Sequence, residues 1–130
     1  MEAYKRNNNQ VYLLNYHVIW TPKRRKAVLR PEIAIRLREL FDEVAEENGF
    51  EIKACAIALD HVHVFISGQP QLSVHKTIKK LKGRSSNKLR KEFPELLKLP
   101  TMWTNSYFVS TTGNACSETI SIYIKDQKGR

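Results

Sequence analysis

Apolar and polar residues alternate from the first ordered-looking stretch of the chain. Over residues 11–20, Tyr12, Leu14, Tyr16, Val18 and Trp20 fall on one side, and Val11, Leu13, Asn15, His17 and Ile19 on the other. A period of two predicts a strand, and Thr21-Pro22 ends it. From Pro31 the period changes. Ile33, Leu37, Leu40, Phe41 and Val44 recur at helical spacing and stop at Asn48-Gly49, with proline where a helix readily begins. Residues 50–58 and 61–67 alternate again, predicting two strands joined by a tight turn at Leu59-Asp60, with Gly68-Gln69-Pro70 closing the second. Ser73 is placed to cap a second helix that carries Val74, Ile78, Leu81 and Leu89, with an irregularity at Gly83 and an end before Pro94. Residues 95–104 read as loop and 107–111 as a fourth strand. Thr112-Gly113-Asn114 reads as the turn into a terminal helix over 117–128. Within that last segment Ile120, Ile122 and Ile124 also alternate as a strand would, so both readings stand there. The order β-α-β-β-α-β predicts an α+β fold, the ferredoxin-like split arrangement of an antiparallel sheet backed by two helices, with an additional C-terminal helix carrying Tyr123.

With 130 residues the chain is expected to form a single domain, 1–130, around one core. No apolar run approaches the roughly 18 residues of a membrane span, and Met1 to Gln10 lacks the apolar stretch of a secretory signal. Cys55 and Cys116 are too few for a disulfide framework and lack zinc-motif spacing, so a cytoplasmic protein with reduced thiols, away from membranes, is expected. Charge narrows the partners. Lys and Arg number 22 against 13 Asp and Glu, a net +9 that favours a polyanion. Lys76, Lys79, Lys80, Lys82, Arg84, Lys88, Arg90 and Lys91 follow one another with no acidic residue between, and Lys23-Arg24-Arg25-Lys26 follows the first strand. Acidic residues collect instead between Glu39 and Glu51. This segregation predicts one basic face, a nucleic-acid footprint, and one acidic helix; a merely solvated charged helix is the plainer reading.

The chemistry centres on His61-Val62-His63. On a strand, residues two apart project from one side, so the two imidazoles can converge on one ion, while Val62, Val64 and Ile66 face the other way. The plainer reading is one histidine in the core and one in solvent. If residues 117–128 are helical, Tyr123 and Gln127, four apart, share a face. A phosphodiester resists nucleophiles because of its charge, and a divalent cation on two neutral imidazoles and an amide oxygen removes that obstacle. A tyrosine beside such a cation becomes a better nucleophile, and a phosphotyrosine link lets strand cleavage be reversed without an external energy source.

Together with His61-Val62-His63 and Tyr123-x-x-x-Gln127, three further stretches carry a resemblance. They are His17-Val18-Ile19-Trp20-Thr21-Pro22-Lys23, Leu81-Lys82-Gly83-Arg84-Ser85-Ser86 and Trp103-Thr104-Asn105-Ser106-Tyr107-Phe108-Val109. In this order, over nearly the whole chain, they resemble the small single-tyrosine HUH transposases of bacterial and archaeal insertion sequences, relatives of the REP-associated tyrosine transposases. The resemblance implies excision and insertion of single-stranded DNA, dependent on Mg²⁺ or Mn²⁺. It implies that His61, His63 and Gln127 are metal ligands and that Tyr123 is the nucleophile, forming a 5′-phosphotyrosine and freeing a 3′-hydroxyl. It further implies recognition of hairpins at the element ends, and a homodimer in which the tyrosine helix of one subunit completes the other's site in trans. Lys23, Arg24, Arg25, Lys76, Lys79, Lys80, Lys82, Arg84 and Lys88 are the candidates for the DNA surface, and no small-molecule substrate is expected.

Two other readings remain at this stage. A basic ferredoxin-like module could stack bases on Tyr12, Tyr16, Trp20 and Phe65 without catalysing anything. A different enzyme, such as an HUH replication initiator or a metal-dependent phosphodiesterase, would share part of the chemistry, although position 65 is Phe where a histidine triad needs His. His17 is expected in the core or supporting a ligand, His75 facing DNA or solvent, and Asp60 in the turn or orienting a histidine.

Overall fold

The computed structural model describes residues 14–111. The order of elements is β1 (Leu14–Trp20), α1 (Pro31–Asn48), β2 (Glu51–Ala58), β3 (His61–Gly68), α2 (Val74–Glu92) and β4 (Phe108–Thr111). Residues 11–13 of the expected first strand, the turn at 112–114, and the terminal helix with Tyr123 and Gln127 lie outside the described residues. The strands form one sheet in the order β2-β3-β1-β4, each neighbouring pair antiparallel, which is the ferredoxin-like arrangement expected.

Local chemistry accounts for the boundaries. Pro31 occupies the first turn of α1, where its missing N–H costs nothing. The helix stops at Gly49, whose φ of 72° is left-handed and favours glycine. α2 starts where Ser73 Oγ accepts from the backbone N–H of Lys76 at 3.2 Å. The irregularity expected at Gly83 does not occur, and α2 runs unbroken from Val74 to Glu92. A mid-helix glycine costs about 1 kcal/mol, less than is gained by burying Ile78, Leu81 and Leu89 on either side of it. Two other expectations are corrected. Within the segment read as loop, Pro94–Lys98 forms a 3₁₀ turn that buries Leu96, and β4 begins at Phe108, leaving Tyr107 just before it.

One face of the sheet packs on the helices. Val18 and Trp20 from β1 and Val62, Val64 and Ile66 from β3 meet Ile33, Leu37, Leu40, Phe41 and Val44 of α1 and Ile78, Leu81 and Leu89 of α2. Trp20 sits at the centre, edge-on to Phe41 at 5.7 Å and to Trp103 at 5.8 Å. The Trp103 indole N–H donates to Ser85 Oγ at 3.0 Å, which satisfies a buried polar group inside this core. Ordinary strand alternation sends the remaining residues of β1 and β3 to the opposite face, where the candidate chemistry lies. Among the described residues, no helix is long and apolar enough to cross a membrane.

Candidate active site

His61 and His63 stand side by side on β3, their ring centroids 5.0 Å apart and their planes at 74°. Room for two imidazoles comes from the neighbouring strand. Across β2, Ala58 pairs with His61 and Ala56 with His63, so the smallest side chains oppose the largest polar ones. The β2–β3 register shifts between Ile52 and Ala54, so that Ala56 and Ala58 share the histidines' face while Cys55 and Ile57 pair with Val64 and Val62. Ile19 of β1 flanks His63 on the other side.

Both rings are held through the same nitrogen. His61 Nδ1–H donates to Asp60 Oδ1 at 2.8 Å, and Asp60 Oδ2 accepts from Arg25 Nε at 3.1 Å. His63 Nδ1 lies 2.9 Å from His17 Nε2, and His17 stacks on Phe65 with centroids 4.2 Å apart and planes at 5°. The hydrogen bond from His61, then the Arg25 charge, hold the Asp60 carboxyl below the usual carboxylate range. Burial, with the neighbouring His17 and His61, pushes His63 down to about 4, and burial also lowers His17. His63 is therefore neutral at ordinary pH, the state in which a ring nitrogen offers a lone pair to a metal. A groove of about 1,100 Å³ opens beside the pair, with Ile19, Ile57, Leu59, Ala34 and Ile35 as an apolar wall and Arg25, Asp60, His61 and His63 as its polar side.

This donor set fits a divalent cation: two imidazoles, each with Nδ1 engaged, as metal-ligating histidines usually are. Among the described residues no group of three or more His, Cys, Asp or Glu is arranged to hold a metal ion, so a third ligand of those types is not found there. Tyr123 and Gln127 lie outside the described residues.

The cations expected on one DNA face are divided by the structure. Arg84 turns onto α1, where its guanidinium donates to Glu47 at 2.6 and 3.1 Å and to Glu43 at 3.3 Å. Arg36 of α1 in turn holds Glu92 at 2.8 Å and Glu39 at 3.0 Å. The acidic helix is thus laced to the basic one instead of standing apart from it. Lys82 Nζ donates to the carbonyls of Thr104 at 2.5 Å and Ser106 at 3.4 Å, and burial pushes its pKa down. Lys80 donates to Asn48 Oδ1 at 2.6 Å. Lys76, Lys79 and Lys88 remain exposed. Lys79 lines a hollow of about 390 Å³ between α2 and residues 101–107, with His75, Trp103 and Tyr107. Across that hollow His75 Nδ1 lies 3.1 Å from the Tyr107 hydroxyl. After β1, Lys23 is half-buried, whereas Arg24 and Arg25 are exposed in left-handed conformations at φ 58° and 53°. Trp20 and Phe65 are buried, so neither offers a face on which a base could stack.

Sequence reasoning missed the contribution of Ala56 and Ala58, whose alternation with Cys55 and Ile57 was visible but had no meaning without the register. It named a supporting role for His17 and an orienting one for Asp60; the structure brings His17 to His63 and Asp60 to His61.

Residues 10–127 match the model of the family described as "Transposase IS200 like". The chain is similar to the ISDra2 transposase TnpA of Deinococcus radiodurans, 32% identical over 126 residues, covering 95% of this chain and 90% of the relative. It is 28% identical over 115 residues to the transposase for insertion sequence element IS200 of Salmonella typhimurium, covering 86% and 75% of the two chains. Among solved structures, a Deinococcus radiodurans protein assigned as a transposase superposes with a TM-score of 0.77 at 33% identity, over 95% of this chain and 97% of the other. A REP-associated tyrosine transposase bound to a REP hairpin superposes with a TM-score of 0.63 at 16% identity, over 89% and 68%, a likeness of fold.

Proposed function

Since this chain belongs to the IS200-like transposase family, being matched over residues 10–127, we propose that it cuts and rejoins single-stranded DNA at insertion-sequence ends through a tyrosine-linked intermediate. The observation that carries the reading is the pair His61 and His63, each ring fixed through Nδ1 and set beside a large groove. In this reading Tyr123 is the nucleophile. Its phenolic oxygen, having given up its proton, bonds to phosphorus as the bond from phosphorus to the 3′ oxygen breaks. The products are a 5′-phosphotyrosine and a 3′-hydroxyl, the departing oxygen taking up a proton. Reversal with a different 3′-hydroxyl rejoins the strand, and the energy of the original bond is kept in the phosphotyrosine.

His61, His63 and Gln127 would hold Mg²⁺ or Mn²⁺. When bound, the ion supplies charge neutralisation at the phosphoryl oxygens. Around it the chain's own residues orient: Asp60 and His17 fix the rings, and Arg25 brings positive charge to the groove. Exposed Lys76, Lys79 and Lys88, with Lys23, Arg24 and Arg25 after β1, would meet phosphates, while Lys80, Lys82 and Arg84 have internal partners as well. The hairpin held by the REP-associated structural neighbour supports hairpin DNA as the ligand here. We place the reaction in the cytoplasm, in a homodimer whose tyrosine segment acts in trans.

The test is a denaturing gel of the protein with Mn²⁺ and end-labelled single-stranded DNA carrying the element's flanking ends, beside Tyr123→Phe. A slow-migrating adduct that carries only the 3′ fragment, absent in the variant although the variant still binds DNA, is expected. Cleavage by Tyr123→Phe would overturn the assignment of the nucleophile. Tight hairpin binding with no adduct would favour a DNA-binding relative without catalysis.

A further inference from the structure

We propose that His17 is the positioning residue for His63: it accepts a hydrogen bond from His63 Nδ1–H and so leaves the lone pair of that ring on Nε2. The inference rests on the metal reading above and concerns a residue outside the ligand set. The topology shows how such a partner reaches His63 from another strand. His61 takes its partner, Asp60, from the adjoining turn. On either side of His63, Val62 and Val64 point into the opposite face and are 0% exposed. On the same face, its cross-strand neighbours come from β2 and β1.

On β2 that place is taken by Ala56, which has no polar atom in its side chain. On β1 the residue directly opposite is Ile19, and the diagonal neighbour is His17, which pairs with Phe65. The diagonal reach is closed by ring geometry. His17 Nε2 comes within 2.9 Å of His63 Nδ1, and the parallel stack on Phe65 at 4.2 Å fixes the plane of the His17 ring. Phe65, two residues after His63 on the same face, thus acts as a backstop for the residue that orients it. His17 is 6% exposed and His63 4%, so water is largely kept from competing for this bond.

The arrangement sets the tautomers. His63 carries its proton on Nδ1 and donates it, which leaves the lone pair on Nε2; His17 accepts through Nε2 and carries its own proton on Nδ1. The reverse arrangement, with His17 donating, would put the proton of neutral His63 on Nε2 and remove the ring from the ligand set. Core packing alone would make no distinction between the two.

The experiment uses the full chain, labelled with ¹⁵N-histidine and freed of metal by a chelator, and reads the tautomers from long-range ¹H–¹⁵N correlations. The wild type should show His63 protonated at Nδ1; protonation at Nε2 overturns the proposal, and this readout needs no variant. Mn²⁺ affinity is then measured by calorimetry for His17→Phe, which keeps a ring on Phe65 but loses the acceptor, and for His17→Gln, which restores an acceptor. A weakening of about 10- to 100-fold in the first and affinity close to wild type in the second are expected. Equal affinities in wild type and His17→Phe, or an equal loss in both variants, would overturn the positioning role. His63→Ala separates the two readings. If it leaves Mn²⁺ affinity unchanged, the metal reading fails; if it abolishes binding while His17→Phe does not weaken it, only the role of His17 fails.

Discussion

Acid should destabilise the metal-free protein at a pH where most proteins are still near their optimum, and His63 is the cause. Burial, followed by the nearby His17 and His61, lowers its folded-state value from 6.5 to about 4. Between those two values the unfolded chain binds a proton that the folded chain refuses, so stability rises with pH across the window. The contribution is whole above about pH 6.5, falls as the pH drops through the window, and is gone below about 4. At about 1.4 kcal/mol per tenfold change in proton affinity, the full difference is about 3 kcal/mol, of which about 2 kcal/mol is lost between pH 7 and pH 5. That is a large share of the roughly 5–15 kcal/mol that holds a domain together. His17, lowered by burial, adds in the same direction. The carboxylates of Glu47, Glu92 and Glu95, lowered chiefly by their arginine partners, act with the same sign but below about pH 4.5, outside the range chosen. Urea unfolding with chelator present, followed by the fluorescence of buried Trp20 and Trp103, reads the effect at pH 7, 6 and 5. His63→Leu should flatten most of the dependence. A wild type equally stable at pH 7 and pH 5, or one whose slope His63→Leu leaves unchanged, would refute the reasoning.

Two other outcomes follow from single contacts. Ser85→Ala removes the acceptor for the buried Trp103 indole N–H and should cost about 1–3 kcal/mol in urea unfolding, whereas a loss below about 0.5 kcal/mol would show that the indole finds another partner. Lys79 is exposed and Arg84 is held by Glu43 and Glu47, so Lys79→Ala should lower the salt slope of the proposed hairpin binding by about 1 and Arg84→Ala should leave it nearly unchanged in fluorescence anisotropy. A larger slope change for Arg84→Ala would place that guanidinium on phosphate despite its carboxylates.

The strands and helices were legible because their signals are local. Alternation at 61–67, the proline that opens α1 and the left-handed Gly49 that closes it each act within a few residues. Gly83 misled for the complementary reason: its local weakness is overridden by burial of residues brought together only by the fold. Charge was legible only in total. A run of cations without acidic residues looks like one surface, but helical spacing points Arg84 toward α1 and Lys79 toward Trp103 and Tyr107, and only the packing of the helices shows it. The histidine pair was readable from its spacing. The diagonal approach of His17 requires the β1–β3 register, which no stretch of either strand contains by itself. Arg24 and Arg25 carry no signal for their left-handed backbone, since arginine has no special tolerance of positive φ.

The strand parity of β3 has a genetic consequence. Val62, Val64 and Ile66 build the interior while His61, His63 and Phe65 stand on the opposite face, and the two sets are interleaved one by one. An insertion or deletion of a single codon within this segment exchanges the sets on one side of it, placing imidazoles against α1 and valines in the groove, unless a bulge absorbs it as between Ile52 and Ala54 of β2. Divergent copies of such a gene that still fold and act should therefore keep the reading parity of β3, and length variation should collect in the turns at its two ends.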